Sequence, residues 1–306
     1  MRVALLIPYF GKLPALFPYY AASVSAIARM DVHLFTDTAL PGHLPTNMYV
    51  HAFSLQDFCR LAAHKTGVAV EFSQPYKCCD FRPAYGRIFE DFIAEYPYWG
   101  YGDLDVIYGN IDAAIKEYCS GNDIVSFREG WLSGSLCFLK NSTLVNSLYL
   151  QSRDWKTVFS SPRSFLFDEL GGRFYGEVMS GADPLSLHGE VVSFTHIVKS
   201  LEKDRNLRCI FQDMVCEQIQ WGRTLQYGSG KIQDIKSGEE FSYLHWVIMK
   251  RRFFHAPPVS VAPATFFIRN TGIYAQRPGV YEALLKEPCR ILSGIAAMTN
   301  RKIFGV

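Results

Sequence analysis

Trp99-Gly100-Tyr101-Gly102-Asp103-Leu104-Asp105-Val106-Ile107-Tyr108-Gly109 is the stretch on which the reading of the fold turns. Glycines flank its apolar positions, which predicts a short strand bounded by close turns. On extended backbone, residues i and i+2 point to one face, so Asp103 and Asp105 present two carboxylates together. Such a pair is a hard oxygen site suited to Mg²⁺ or Mn²⁺, and without a cation its charges repel. The alternative is two solvated turn aspartates, since a D-x-D triplet alone recurs by chance.

Working outward toward the start of the chain, residues 2–7 form an apolar run ended by Pro8, which suits a strand covered on both faces. The run is short and broken by Pro8 and Gly11, so it reads as a buried strand and not as a signal peptide. Residues 17–29 read as a helix, residues 32–36 as a second strand, and Asp37 to Pro45 as turns. Strand, helix, strand at this spacing is a βαβ unit. Helices are expected at 54–66 and 79–95, the second carrying Ile88, Phe89, Phe92 and Ile93 and stopped by Pro97 and Gly100. Beyond the central stretch, helices are expected at 111–119 and 142–153 and strands at 123–127 and 135–139, before a loop-rich region from 160 to 190.

The pattern predicts an α/β fold, a mostly parallel mixed sheet flanked by helices. One large domain is expected over residues 1–256, with an extension at 257–306. Within that extension, residues 280–306 mix apolar and basic positions and predict a tail helix. Such a helix either docks on the core or lies on an anionic membrane surface.

Composition narrows the function. Hydrophobic residues make up 49% of the 306, enough to bury a core and to exclude wholesale disorder. The net charge of +2 excludes a general nucleic-acid binder, which needs a strongly basic face. Eight cysteines show no C-x-x-C spacing, so they read as reduced thiols of a cytoplasmic protein and not as a zinc site or a disulfide framework. No stretch has the length of apolar residues that a membrane span needs.

Upstream of the central stretch lies Lys77-Cys78-Cys79-Asp80-Phe81-Arg82-Pro83-Ala84-Tyr85-Gly86. Together the two segments resemble a family of bacterial glycosyltransferases of the GT-A fold found in capsule and lipopolysaccharide loci. The shared pattern is K-x-x-D-F-[KR]-P-x-[FY]-G, a helix, then [FY]-W-G-[YH]-x-D-x-D-V-[IV]-[FY]-G. The close match covers about 35 residues and is far more specific than a lone D-x-D. The resemblance implies a GT-A-like, Rossmann-like sheet that binds a nucleotide-diphosphate sugar, here expected to be a UDP-sugar, at the carboxyl ends of its strands. It implies that Asp103 and Asp105 hold Mn²⁺ or Mg²⁺ on the diphosphate, one of them through water or on the ribose. The cation acts there as a Lewis acid on the leaving group. The acceptor is then a saccharide, free or lipid-linked, in surface polysaccharide synthesis.

Further positions are candidates for the same chemistry. Related GT-A groups complete the metal site with a late histidine followed by basic residues, which His245 with Lys250 and Arg251 resembles; such cations stabilise diphosphate charge. His245 is otherwise a core histidine among aromatics, and the glycine-then-lysine spacing of the glycogenin-like motif is missing. Asp168 and Glu169 supply a carboxylate base if the transfer inverts configuration. They otherwise hold the acceptor sugar, or form a cap or a solvated loop. Tyr9, at the close of the first strand, is placed to stack on a base. Lys77, Asp80 and Arg82 are placed to face the nucleotide, although Asp80 equally suits a helix N-cap. Trp131-Leu132-Ser133-Gly134-Ser135 is placed to form the acceptor floor, with Trp131 under a sugar ring.

A phosphatase of the haloacid-dehalogenase type needs its D-x-D at the end of the first strand, and a sugar-nucleotide nucleotidyltransferase needs a glycine-rich basic loop there. Neither is present. No G-x-S-x-G elbow supports a serine hydrolase. A non-catalytic sugar- or nucleotide-binding scaffold is the remaining alternative, and it needs no metal.

Overall fold

The computed structural model describes residues 1–249 and 256–279. The described residues divide into two compact units, and the chain crosses between them more than once. The first holds Met1–Leu13, Ile27–Leu104 and Asp112–Met214. The second holds Pro14–Ala26, Asp105–Ile111 and the described residues from Val215 onward.

The first unit is built on seven strands: β1 (Val3–Pro8), β2 (Met30–Thr36), β3 (Met48–Ala52), β4 (Tyr98–Gly102), β5 (Ile124–Ser126), β6 (Leu136–Lys140) and β7 (Cys209–Phe211). Their order across the sheet is β3-β2-β1-β4-β6-β5-β7. All run one way except β6, which is antiparallel to both β4 and β5. This is the expected α/β architecture. The apolar run of β1 is buried on both faces, with Val3 to Leu6 fully covered, as a central parallel strand requires. Aromatic side chains fill the core: Phe35 stacks on Phe89 at 4.3 Å, and Phe58 meets Phe81 edge-on at 5.6 Å.

The sheet order reverses between β1 and β4. Successive strands move outward on one side of β1, and β4 then joins its other side. Open α/β sheets hold their ligands beyond the carboxyl ends of the strands at such a reversal. The residues leaving those two ends are Tyr9 and Asp103.

The helix expected at 54–66 runs from Leu55 to Thr66. Ser54 and Asp57 form a reciprocal capping box at its start, and Gly67 closes it in a left-handed conformation. Three expected helices are interrupted. Over 79–95 the chain forms a 3₁₀ segment, Pro75–Ala84, then two short helices, Tyr85–Ile88 and Glu90–Ile93. Pro83 lies inside the first segment, and buried polar side chains there bond elsewhere in the fold. Over 142–153 the helix stops after Asn146, where the Ser147 hydroxyl turns back onto the carbonyls of Thr143 and Leu144. Over 111–119 an α turn, Ile111–Ala114, passes into a π turn, Ile115–Cys119. β3, Met48–Ala52, is a strand where the sequence pattern predicts none.

The second unit contains two sheets. Five antiparallel strands run in the order Glu240–Phe241, Lys231–Asp234, Leu225–Gly228, Thr265–Arg269, Gly272–Tyr274. They bury Leu225, Tyr227, Ile232, Phe266 and Ile268 and expose Gln226 and Gln233, the alternation of a sheet wet on one face. Residues 257–279 of the expected extension thus supply two strands; the tail helix expected at 280–306 lies outside the described residues. In the other sheet Tyr243–His245 is central, antiparallel to Val106–Tyr108 and parallel to Val215–Cys216. Gly109 closes this ladder, its N–H donating to the Ser242 carbonyl at 2.7 Å; a Cβ there would overlap the Phe241 carbonyl oxygen. Among the described residues, no helix is long and apolar enough to cross a membrane.

Candidate functional site

In the first unit, one hydrogen-bonded network gathers most of the charged candidates. Arg82, on the 3₁₀ segment, donates through Nη2 to Asp103 Oδ1 at 2.5 Å and through Nη1 to Asp168 Oδ2 at 2.7 Å. Its guanidinium lies over the Tyr101 ring of β4. Arg82 therefore ties the carboxyl end of β4 to the loop that carries Asp168.

That loop is itself clamped. Asp80 accepts from the backbone N–H groups of Phe165 and Phe167, each at 2.9 Å, on either side of Leu166. Leu166 holds φ 55°, a left-handed conformation costly for a side chain with a Cβ. Lys77 Nζ donates to Asp80 at 2.8 Å and to the carbonyls of Val158 and Arg163. Lys77 and Asp80 are 1% and 0% exposed, so their polar atoms are satisfied inside the fold. Asp80 caps a loop and not a helix.

Glu169 accepts from the Gly134 N–H at 2.9 Å and from the Tyr175 hydroxyl at 2.5 Å. A Cβ on Gly134 would lie 2.7 Å from Arg82 Nη1, so the glycine lets the Arg82 fork and Glu169 meet over one backbone. Trp131 is buried, edge-on to Tyr175 and covered by Arg128.

Three carboxylates (Asp80, Asp103, Asp168) thus share two cations, Lys77 and Arg82, while Glu169 is held by a backbone N–H and a tyrosine hydroxyl. Burial pushes the Asp168 carboxyl above the usual carboxylate range; Arg82 opposes this, while Glu169 and Asp80 add to it. Asp168 Oδ1 is buried and has no hydrogen-bond partner among the described residues. Tyr9 is half-buried at the end of β1, its hydroxyl donating to the Lys12 carbonyl at 2.7 Å.

In the second unit, the three-stranded ladder brings Asp105 and His245 together. His245 pairs with Val106 across the ladder, and the Trp246 N–H donates to the Asp105 carbonyl at 3.0 Å. Asp105 Oδ1 lies 3.7 Å from His245 Nε2. On the other side of the ring, His245 Nδ1 is 3.0 Å from Glu217 Oε1. Asp103 is two residues before Asp105, so their Cα atoms are at most about 7 Å apart on covalent geometry alone. Lys250 and Arg251 lie outside the described residues.

The profile of a family of unknown function, DUF6625, matches residues 5–277. The chain belongs to the DUF6625 family. The match reaches into both units and spans every site candidate, Glu217 among them. No curated protein matches the sequence. Among solved structures, the chain is similar to apo mouse xyloside xylosyltransferase 1, with 10% identity over 81% of this chain and 97% of that one and a TM-score of 0.40. It is also similar to the glycosyltransferase GlyE of Streptococcus pneumoniae TIGR4, with 11% identity over 53% of this chain and 44% of that one and a TM-score of 0.31. The apo form of GlyE gives 12%, 69%, 45% and 0.34. The chain spans less than half the length of the GlyE structures. At TM-scores this low, the likeness carries no argument about function.

Two residues of this DUF6625 protein have no signal in the sequence: Tyr175, in the first unit, and Glu217, in the second. Glu217 acts through a contact 28 residues away along the chain, and Tyr175 through one across an irregular loop, neither of which leaves a local pattern.

Proposed function

We propose that this protein is a metal-dependent glycosyltransferase that moves a sugar from a nucleotide-diphosphate donor, a UDP-sugar, to a saccharide or lipid-linked saccharide hydroxyl in surface polysaccharide synthesis. The observation that carries this reading is the 3.7 Å approach of Asp105 and His245, distant in sequence and both singled out for the same cation. Metal bonds of about 2.0–2.2 Å place neighbouring ligand atoms about 3.0–3.5 Å apart, so the pair fits a shared divalent ion after a small closure. Asp103 belongs to the same set by chain continuity.

Asp103, Asp105 and His245 would hold Mn²⁺ or Mg²⁺, which would neutralise diphosphate charge and make the nucleoside diphosphate a better leaving group. Arg82 fixes the Asp103 carboxylate at the end of β4. Lys250 and Arg251, following His245 in sequence, steady the diphosphate, and Tyr9 stacks on the base. If the transfer inverts configuration, Asp168 Oδ1, free of other partners among the described residues, takes the acceptor proton; Glu169 orients the acceptor. Lys77 and Asp80 contribute by holding the loop that carries both acids. The enzyme works in the cytoplasm, with the basic, apolar tail touching the membrane surface.

The test is nucleoside diphosphate release from a panel of nucleotide sugars. Mn²⁺-dependent release is expected from one donor class and is abolished in Asp105→Ala, with the circular dichroism spectrum unchanged. A fully active Asp105→Ala enzyme would sink the assignment.

A further inference from the structure

We propose that Glu217 is a positioning residue: it fixes the tautomer and ring orientation of His245, so that Nε2 presents its lone pair beside Asp105. This rests on the metal-site reading above and deepens it.

The strands set up the contact. Val215 and Cys216 pair in parallel with Tyr243 and Leu244, so the next register position sets Glu217 against His245. Val106 pairs with His245 from the other side, which brings Asp105 to the far edge of the ring. The imidazole thus lies between two carboxylates, with Nδ1 3.0 Å from Glu217 and Nε2 3.7 Å from Asp105. The two distances are not equivalent, because only the first is a hydrogen bond. An ionised carboxylate has no proton to give, so in the neutral ring Nδ1 must be the donor to Glu217. The lone pair then resides on Nε2, the nitrogen facing Asp105.

A metal-ligating histidine commonly hands its second ring N–H to a carboxylate, which fixes the ring and makes the ligating nitrogen more basic. The His245 side chain is only 10% exposed and Glu217 is 22% exposed, so water screens the contact weakly. A rim ion pair would hold two long, exposed side chains; here one partner is a buried ring locked in a strand.

Two readouts test the assignment, neither relying on activity. The first is the tautomer. ¹⁵N NMR of the metal-free protein, at a pH where the ring is neutral, should show His245 with Nδ1 protonated and Nε2 bare. Glu217→Gln should keep that pattern, since its amide carbonyl accepts the same hydrogen bond, and Glu217→Ala should lose it. The second is Mn²⁺ affinity, by titration calorimetry or the EPR of free Mn²⁺. Glu217→Ala should weaken binding by about 10- to 100-fold and Glu217→Gln by less. A wild-type ring protonated on Nε2 overturns the proposal, as does Mn²⁺ binding by Glu217→Ala within twofold of wild type. His245→Ala separates the two claims. If it binds Mn²⁺ like the wild type, the metal site itself is wrong; if it loses binding while Glu217→Ala does not, only the role of Glu217 fails. Should Glu217→Ala not fold, Glu217→Gln and the wild-type tautomer still decide.

Discussion

Asp80 shows how one residue in a motif can serve the site without touching ligand. It accepts two backbone N–H groups around Leu166 and pairs with Lys77 in a fully buried position. Removing one member of a buried ion pair leaves the other charged and unpartnered. Asp80→Ala should therefore destabilise the protein by about 3–5 kcal/mol, read from urea unfolding, whereas a surface carboxylate such as Glu190 should change stability little. Asp168 gives a pH signature. Its folded-state carboxyl titrates above the unfolded value, so the protonated form contributes stability below about pH 4, and that contribution is lost as pH rises through the folded value. Wild-type stability should fall over that window relative to Asp168→Asn, which cannot ionise. If Asp168 is the base, kcat/KM should rise with pH over the same window, because only the ionised form takes a proton. Parallel pH series of wild type and Asp168→Asn check both expectations.

At the scale of elements, local pattern and long-range pairing divide what the sequence reveals. The buried run of β1, the capped helix after Ser54 and the glycine-flanked β4 follow from periodicity and end signals that lie within a few residues. The broken helices do not. The stripe Ile88, Phe89, Phe92, Ile93 is a helical pattern and its members do pack into the core, but Pro83 and the burial of Lys77 and Asp80 impose a different backbone upstream. Similarly, Asp103, Asp105 and His245 were readable as types suited to a cation, yet the means of bringing Asp105 to His245 is a ladder register with no signature in either segment. Glu217 was invisible for the same reason. The ladder in the first sheet makes its own prediction: a Cβ on Gly100 would lie 2.5 Å from the Cys137 carbonyl oxygen on β6. Gly100→Ala should force β4 and β6 apart at a cost of about 1–3 kcal/mol, seen as a lowered Tm.

At the scale of the molecule, the D-x-D run spans the point where the chain passes from one unit to the other. Asp103 is held by the first unit's network through Arg82, and Asp105 belongs to the second unit's ladder. A ligand bound only by the folded protein raises the stability of what binds it, so ligand and metal should act together on melting. The tail enters at this scale as well. Residues 280–306 combine apolar and basic positions, and attraction to anionic lipid adds to apolar burial at a membrane surface. Deleting them should abolish binding to anionic vesicles in a sedimentation assay and leave metal-dependent nucleotide binding intact; unchanged vesicle binding would remove the tail from the account.

A nucleoside diphosphate held through a divalent cation stabilises the protein that binds it, which a thermal-shift panel reads. UDP, GDP, CMP and dTDP are each measured with Mn²⁺ and with EDTA. A rise in Tm with UDP is expected, appearing with Mn²⁺ and vanishing in EDTA. No shift with any nucleotide, or a shift indifferent to EDTA, would contradict it.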